Sequence, residues 1–375
     1  MHFGFWTFLK KTGLFVRRNT VFVIAALCAA VSCFIVPPDS LYAGYFDLKT
    51  LVSLFCMLAV ICALRNIMFF RILARKIIVL FKNTRAAITA LVFVTYFASM
   101  LIANDMALLT FLPLGYIVLS STGKEKFMMP TFILQTASAN LGGMLTPFGN
   151  PQNLYIYNFF SVPTAEFFGI MWLPTLIAVA VLALCCAFIK KESFEFENEF
   201  IKKLDIKKAV VYFIMFAYAI IIVFRVVPYW TGLLFIPILL FMDRDALLKV
   251  DYVLLLTFCM FFIFSGNLAR IPEVRAFFEG LLQKDVLLTG VVCCQFISNV
   301  PSAVLLSGFT DNYAPLLVAV NIGGVGSLVS SLASLITFKQ FCLYQPGKAG
   351  KYLLCFHAFN FSVLALLTLT CYFIF

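Results

Sequence analysis

Long apolar runs separated by short basic segments dominate the chain. The runs cover residues 20–37, 49–70, 88–120, 127–157, 166–189, 208–227, 229–242, 250–268, 286–310, 314–338 and 352–375. A stretch of about 20 apolar residues crosses the ~30 Å hydrocarbon layer of a bilayer as an α-helix. The pattern therefore predicts an all-α polytopic membrane protein.

The basic residues between the runs predict how the chain crosses the membrane. They form clusters at residues 71–85, 124–126, 190–208, 244–249 and 339–351. Lys and Arg collect on the cytoplasmic side, so all these clusters should share one face. Residues 88–120 can satisfy this only as a re-entrant hairpin whose tip is buried in protein, and residues 286–310 form a second hairpin from the other face. The result is roughly nine crossings with a cytoplasmic N-terminus.

Three pairs of segments recur in the same order along the chain. The pairs are Asp47–Met57 with Asp251–Met260, Ile102–Asp105 with Ile297–Val300, and Asn140–Gly143 with Asn321–Gly324. The predicted crossings give the second set the opposite orientation. We therefore predict two inverted repeats with re-entrant hairpins and unwound transmembrane helices: residues 1–189, a charged cytoplasmic linker at 190–208, and residues 209–375 with one extra leading helix. This arrangement is typical of transporters, whose site lies at the repeat interface.

The densest polar segment inside an apolar run is Ser138–Asn153. It holds three Gly, two Pro and three Asn, residues that together unwind a helix. In lipid, the freed backbone groups need partners from protein or from a water-filled cavity. We interpret the segment as an unwound part of a transport site. A structural kink between packed helices is the alternative.

Polar residues also mark the two predicted hairpin tips, at Asn104-Asp105 and at Ser298-Asn299. A broken helix exposes N-terminal amides that can hold an anion, and carbonyls or carboxylates that can hold a cation. Asp105 is the sole acidic residue of the first hairpin. A buried carboxylate is costly, so we expect it to be paired, protonated or bound to a cation. The alternative is a loop position near the surface.

Composition limits the other function classes. Hydrophobic residues make up 63% of the chain and charged residues 12%, whereas a soluble domain is roughly half apolar and a quarter charged. The net charge of +11 lies in short loops, where it sets topology, so no nucleic-acid partner is predicted. The sequence holds no zinc-protease, nucleophile-elbow or nucleotide-binding motif. No cofactor or metal is predicted beyond a coupling sodium ion or proton.

Four segments resemble one known superfamily. They are Ala103–Pro113 (ANDMALLTFLP), Asn140–Asn153 (NLGGMLTPFGNPQN), Ser298–Leu306 (SNVPSAVLL) and Asn321–Ser327 (NIGGVGS). Over nearly its whole length the chain resembles the ion transporter superfamily, which includes arsenite permeases, NhaD-type sodium/proton antiporters and citrate/dicarboxylate transporters. The resemblance implies a scaffold domain, a mobile transport domain that holds both hairpins, elevator-type movement and a homodimer.

The chain departs from the dicarboxylate branch in two places. Those carriers typically show Ser-Asn-Thr at both hairpin tips, whereas the tips here read Ala103-Asn104-Asp105 and Ser298-Asn299-Val300. The second half also has residues 330–334 (SSLAS) where the first has residues 149–153 (GNPQN). We therefore expect closer similarity to the arsenite permease and NhaD branches, and different ions at the two repeats.

Together these features predict an ion-coupled secondary transporter, not an enzyme, for a small inorganic or organic anion or oxyanion in the lipid of the plasma (inner) membrane. The predicted substrate-binding residues are Asn104, Asn140, Gly142, Gly143, Thr146, Asn150, Asn153, Ser298, Asn299, Ser302, Asn321, Gly323, Gly324 and Ser327. Asp105, with Asn104 and Asn299, is predicted to hold the coupling ion. A sodium/proton-type cation antiporter is the main alternative, and a channel or an intramembrane enzyme is more remote.

Overall fold

The computed structural model of the protein describes residues 19–78, 80–193 and 204–374, and no β-strand occurs in these ranges. The α-helices are α1 (Thr20–Ile35), α2 (Leu48–Asn66), α3 (Phe69–Ile78), α4 (Thr84–Ile102), α5 (Asn104–Ser121), α6 (Met128–Gly142), α7 (Pro151–Phe159), α8 (Thr164–Ala187), α9 (Ile206–Val223), α10 (Phe235–Met242), α11 (Arg244–Leu248), α12 (Tyr252–Leu268), α13 (Pro272–Lys284), α14 (Val286–Ile297), α15 (Asn299–Leu306), α16 (Tyr313–Ile322), α17 (Leu332–Tyr344) and α18 (Ala349–Tyr372). Short 3-10 helices lie at Ser40–Tyr45, Glu125–Phe127 and Tyr229–Leu234.

Seven helical segments within these ranges are long and apolar enough to cross a membrane. They are α2, α4, α5, α8, α9, the stretch Arg244–Leu268 that contains α11 and α12, and α18. In α18, for example, only 28% of the most apolar window is buried inside the protein, so most of this apolar helix faces outward. The predicted all-α polytopic membrane fold is confirmed. Residues 1–18 of the predicted first repeat and residues 194–203 of the predicted linker lie outside the described residues.

Helices α4 and α5 form a hairpin, because the start of α4 and the end of α5 meet at one loop. The backbone N–H of Thr84 donates to the carbonyl of Glu192 at 2.9 Å, and Lys124 Nζ lies 2.9 Å from the Glu192 carboxylate. Lys126 approaches the same carboxylate at 2.6 Å. We call the surface at these contacts the basic face. This first hairpin corresponds to the predicted re-entrant segment 88–120.

Helices α14 and α15 form a second hairpin that opens at the opposite face. Phe309, after α15, stacks on Phe278 of α13 with ring centroids 5.0 Å apart, and α13 leads directly into α14. Nearby along the chain, the Tyr313 hydroxyl donates to Glu166 Oε1 at 2.6 Å. Because α8 runs from Glu166 to the loop of Glu192, these contacts mark the face away from the basic face.

Two crossings are made by helices that stop partway and restart. The first is α6 with α7, separated by residues 143–150, and the second is α16 with α17, separated by residues 323–331. They run in opposite directions: α6 begins beside the basic face, whereas α17 ends there, with Tyr344 stacked on Tyr116 of α5 at 3.9 Å between ring centroids. Each broken helix packs against the hairpin that precedes it in the chain.

The remaining long helices form a second group. We call α1, α2, α9, α12 and the segment Tyr229–Met242 the frame, and the two hairpins, the two broken helices, α8 and α18 the carrier unit. Polar contacts hold the frame helices together: Asn267 of α12 donates to Ser32 of α1 at 3.0 Å, and Tyr212 of α9 donates at 2.9 Å to Asp243, which directly follows the segment Tyr229–Met242. The hairpins and broken helices have the opposite orientations that inverted repeats require, and the repeat relationship itself stays a prediction.

Glu192→Gln should loosen the first hairpin at its open end. Hydrogen bonds from Lys126 and then Lys124 hold the pKa of Glu192 at about 2, below its ordinary value of 4.5. A carboxylate with a lowered pKa stabilises the fold above its unfolded pKa, and this contribution is lost as the pH falls through its folded pKa. We expect the variant to unfold at a lower temperature than the native protein at neutral pH. The difference should shrink as the pH falls from about 4.5 towards 2.

Thermal unfolding of the purified protein in detergent measures this difference. Glu279→Gln is the control, because Glu279 pairs with Arg275 one turn away on the same helix, at 2.7 Å, and exposed pairs of this kind contribute little. Equal effects of the two variants, or an effect of Glu192→Gln that does not change with pH, would contradict the role given to Glu192.

Candidate transport site

Each hairpin tip is a single residue with an unusual backbone conformation. Ala103 (φ 57°, ψ 147°) separates α4 from α5, and Ser298 (φ 75°, ψ 158°) separates α14 from α15. Positive φ at a residue other than Gly costs on the order of 1–3 kcal/mol and persists only where the surroundings impose it. Asn104 and Asn299 each accept a 2.9 Å hydrogen bond from the backbone N–H of the residue that follows. Both tips therefore start a new helix whose N-terminus lies inside the protein.

The gap between α6 and α7 leaves backbone carbonyls that a continuous helix would have bonded. The side-chain amide of Asn153 lies within hydrogen-bond distance of three of them, the carbonyls of Gly143, Met144 and Thr146, at 3.1, 3.2 and 3.1 Å. Asn153 is completely buried. Because unpaired backbone groups are too costly to leave inside a membrane, this side chain is what allows the helix to stop.

Amide side chains join the first tip and the two breaks. Asn104 donates to Asn140 Oδ1 at 3.0 Å, and Asn321 of α16 donates to Asn153 Oδ1. The Asn150 amide reaches the Asn140 carbonyl at 3.4 Å and Asn321 Oδ1 at 3.5 Å. Five of the predicted substrate-binding residues, one from the first hairpin and four from the broken helices, are thus brought into one network.

Hydroxyl groups fasten each break to its own hairpin in the same way. Thr146 Oγ1 donates to the carbonyl of Met100 at 2.7 Å, and Ser327 Oγ donates to the carbonyl of Gln295 at 2.9 Å. The Gln295 side chain adds two contacts, accepting from the Ser327 N–H at 2.8 Å and donating to the Gly323 carbonyl at 2.9 Å. Gln295 was not among the predicted residues, and its only signal in the sequence is a polar residue inside the apolar run of α14.

A cavity of about 230 Å³ lies between the two hairpin tips, the start of α7 and the frame helices α1 and α12. Its polar lining residues are Asn104, Asp105, Gln152, Thr257, Ser298 and Asn299. The rest of the lining is apolar, and four of the six polar residues belong to the two hairpin tips. Asp105 is the one ionisable side chain among the described residues of this wall.

The predicted site residues divide into two groups. Asn104, Asp105, Ser298 and Asn299 line the cavity. The others do not line it and lie in or beside the breaks and the second hairpin: Asn140, Gly142, Gly143, Thr146, Asn150, Asn153, Ser302, Asn321, Gly323, Gly324 and Ser327. Cargo or ion binding by either group stays a prediction.

Two side chains of the cavity wall carry buried polar atoms that bond to no described residue. They are Asp105, through Oδ1, and Gln152, through both Oε1 and Nε2. A buried polar atom left without a partner costs about 1–3 kcal/mol. Gln152 is only 1% exposed. It was not among the predicted residues, because its neighbours Asn150 and Asn153 have the same polar character and the sequence does not distinguish it from them. Its carbonyl and the Asp105 carboxylate are hard oxygen ligands, a kind that alkali and alkaline-earth cations favour.

Hairpins that open at opposite faces, helices that break beside their tips, and a cavity where the tips meet define the protein as a secondary transporter and an integral multi-pass membrane protein. The chain belongs to the Citrate transporter family (CitMHS), whose sequence model matches residues 5–337. The predicted membership of the ion transporter superfamily is confirmed, and the protein is a transporter rather than an enzyme.

Two relatives share most of the chain. The uncharacterized transporter MJ0456 of Methanocaldococcus jannaschii is 32% identical over 292 residues, which cover 78% of this chain and 80% of the relative. The inner membrane protein YbiR of Escherichia coli is 28% identical over 282 residues, which cover 72% of this chain and 74% of the relative. The similarity therefore extends well beyond the polar motifs.

Gly142→Ala should separate α6 from α4. A Cβ atom at residue 142 would lie 2.3 Å from the carbonyl oxygen of Tyr96, which is backbone that cannot yield without moving α4. We expect a loss of about 1–3 kcal/mol or more in the free energy of unfolding, the usual cost of overpacking a core. Unfolding of the purified protein by heat or denaturant measures it.

Gly169→Ala in α8 is the matched control, because a Cβ at residue 169 would meet nothing within 4 Å. Replacing an exposed helical Gly by Ala should stabilise the protein by up to about 1 kcal/mol. A neutral Gly142→Ala variant would show that the two helices do not approach each other as closely as described.

Proposed function

We propose that the protein transports a small anion or oxyanion, coupled to a proton or sodium ion, by an elevator-type movement of the carrier unit along the frame. The observation that carries the proposal is the free carboxylate oxygen of Asp105 in a cavity formed where two hairpin tips meet. The carrier unit forms one wall of this cavity, and α1 and α12 of the frame form the other. A relative movement of the two groups would carry the cavity between the faces.

The helix lengths on the two sides of the cavity support a sliding movement. On the frame side the cavity is lined by Leu254, Thr257 and Phe261, the third, sixth and tenth residues of α12, so it lies within about 14 Å of the start of that helix. On the carrier side, α5 continues for 18 residues from Asn104, or about 27 Å, to the basic face. The carrier unit therefore extends about 13 Å or more farther in this direction than α12 does.

A contact at the end of α2 agrees with this difference in length between the carrier unit and the frame. Arg65, the second-last residue of α2, donates to the sulfur of Met106 at 3.3 Å, next to the tip of the first hairpin. The frame thus ends near the level of the tip, and we interpret this conformation as one with the cavity close to the basic face. Sliding the carrier unit the other way would bring it towards the opposite face.

Coupling follows from the charge of Asp105. An anion brought beside an ionised carboxylate is repelled, and a proton or sodium ion on that carboxylate removes the repulsion. Cargo and coupling ion then increase each other's affinity, which is the thermodynamic content of coupling. Asn104 and Asn299 flank the carboxylate at the two tips and would share the ion with it.

The surroundings of the protein belong to the same proposal. We place the basic face, and with it the start of α1, on the cytoplasmic side of the plasma (inner) membrane, as the positive-inside rule requires. Apolar side chains exposed on the frame, such as Phe213, Ile214 and Phe241, would contact lipid and the second subunit of a homodimer.

A cation antiporter is the second candidate, because an acidic group without a Lys or Arg partner among the described lining residues suits a cation. In that case Asp105 would bind sodium and protons in turn. A sodium gradient imposed on proteoliposomes without a permeant anion would then change the internal pH. An anion transporter would produce no such change.

Asp105→Asn should abolish ion coupling. We expect uptake of anions into proteoliposomes, tested with phosphate, bicarbonate, lactate and citrate, to lose its dependence on a proton or sodium gradient by roughly tenfold or more, which corresponds to about 1.4 kcal/mol. The control is Asp285→Asn, because Asp285 caps α14 at the opposite face by accepting from the Leu288 N–H at 2.7 Å, and Asn caps a helix equally well. Full coupling in Asp105→Asn would contradict the proposal.

A disulfide between frame and carrier unit should stop transport. A Cβ at residue 308, just after the second hairpin, would lie 3.6 Å from Ser265 Oγ of α12, the atom that the sulfur of a Cys at residue 265 would replace, so two Cys side chains here are close enough for a disulfide. In a background without the 12 native cysteines, we expect Ser265→Cys with Gly308→Cys to lose uptake on oxidation and regain it on reduction.

The matched control is Ser32→Cys with Asn267→Cys, whose native side chains touch at 3.0 Å within the frame. This bridge should leave uptake unchanged. Undiminished uptake with the bridge between residues 265 and 308 fully formed would rule out sliding of the two groups.

A further inference from the structure

Gln152 differs from the other amide side chains around the cavity because it bonds to no described residue. Asn153 and Asn321 donate to backbone carbonyls, and Asn104 donates to Asn140. Gln152 is 1% exposed and lines the cavity, yet both of its polar atoms are free of partners in the described part of the chain. The amide therefore makes no hydrogen bond within the described part of the protein, and its donor and acceptor groups are left for a ligand.

The second half of the chain shows that these free polar groups are not needed to build a tip or a break. By the alignment of the two halves, Val300 occupies the position of Asp105, and Ala333 occupies the position of Gln152. The tip at Ser298 and the break before α17 form nonetheless. Both free polar side chains of the cavity therefore belong to the first half, and their counterparts are apolar.

The charge around the cavity limits what it can bind. Helices α5, α7, α15 and α17 begin at residues that line it, and each helix N-terminus carries roughly +0.5 of an elementary charge. Asp105 contributes a negative charge when ionised. No Lys or Arg is among the described lining residues, and Arg65 contacts Met106 instead. Beyond the charge of an ionised Asp105, these helix N-termini offset about one further negative charge. A ligand with several negative charges would exceed this compensation, which is strongly unfavourable in a buried site.

The hydrogen-bonding groups add a second limit. A Gln side chain offers an N–H₂ donor and a carbonyl acceptor, whereas an ionised carboxylate only accepts. A ligand that satisfies Gln152 must therefore carry a donor as well as an acceptor, and an ionised Asp105 needs a further donor. An oxyanion without a hydroxyl group has none. A cavity of about 230 Å³ has room for a small hydroxylated molecule.

We infer that Gln152 is a cargo-binding residue that determines specificity, and that the cargo is a small hydroxyl-bearing molecule with at most one negative charge. The inference rests on the proposed function in that the bound molecule is the one transported. It distinguishes this cavity from a site for a fully ionised tricarboxylate.

Equilibrium binding to the purified protein in lipid nanodiscs tests the ligand class. Boric acid, bicarbonate and lactate bear hydroxyl groups and at most one charge; nitrate has no donor; malate and citrate keep the hydroxyl of lactate but add carboxylates. We expect the tightest binding within the first group, and Gln152→Leu should weaken it at least tenfold. Tightest binding of nitrate, malate or citrate, binding of none of the first group, or an affinity unchanged by Gln152→Leu would overturn the inference.

The stability of the ligand-free protein separates a binding role from a structural one. Gln152→Leu removes two partnerless buried atoms, so the thermal midpoint should stay the same or rise. Gln135→Leu is the matched control, because Gln135 is equally buried but donates to Thr95 Oγ1 and to the Phe111 carbonyl, both at 3.2 Å. We expect this variant to unfold at a lower temperature. Equal destabilisation by both substitutions would give Gln152 a structural role and contradict the inference.

The two proposals can fail separately. Loss of binding in Gln152→Leu together with full coupling in Asp105→Asn would remove the coupling role and leave the binding role. Unchanged binding in Gln152→Leu together with lost coupling in Asp105→Asn would remove the binding role of Gln152 and leave the coupling role of Asp105.

Discussion

A helix that stops inside a membrane leaves carbonyl groups that protein atoms must satisfy, and in this chain the Asn153 side chain supplies most of what is needed. It reaches three carbonyls of the unwound segment, and its own oxygen accepts from Asn321 of the other broken helix. Asn104 then ties the first hairpin tip to Asn140. This small set of amides positions the first tip and the two breaks, and the second tip joins the second break through Ser298 Oγ and the Asn299 N–H, which both donate to the Ser330 carbonyl.

The two halves of the chain share their construction and differ in the chemistry of the cavity. Ala103 and Ser298 turn the two tips with the same backbone conformation, and Thr146 and Ser327 fasten the two breaks through equivalent carbonyls. The N-cap positions differ: Ser331 accepts from the Ser334 N–H and caps α17, whereas Asn150 makes no cap bond. Together with the replacement of Asp105 and Gln152 by apolar residues, this difference leaves the partnerless polar atoms around the cavity in the first half of the chain.

Sequence reasoning located the hairpins because hydropathy and loop charge constrain where a chain can turn, and it located the first break because Gly, Pro and Asn in a membrane span have few other uses. It could not separate Gln152 from Asn153. These neighbours have the same polar character, but one lines the cavity and the other reaches into the break. The rotation of α7 decides between them, and no residue pattern specifies that rotation. Glu192 was likewise predicted only as part of a charged linker. Its partners are Lys124 and Lys126 from another loop and Lys190 from its own loop, and the sequence does not show that these loops meet.

The central claim is that one cavity reaches both faces of the membrane because the carrier unit moves. Val300 lines the cavity without a polar role, so Val300→Cys in a cysteine-free background can report access to it. Sealed vesicles of known orientation would be exposed to a membrane-impermeant thiol reagent from each side in turn. We expect reaction from both faces, and reaction from the basic face alone once a disulfide fixes residues 265 and 308. Reaction from a single face in the unbridged protein would contradict the claim.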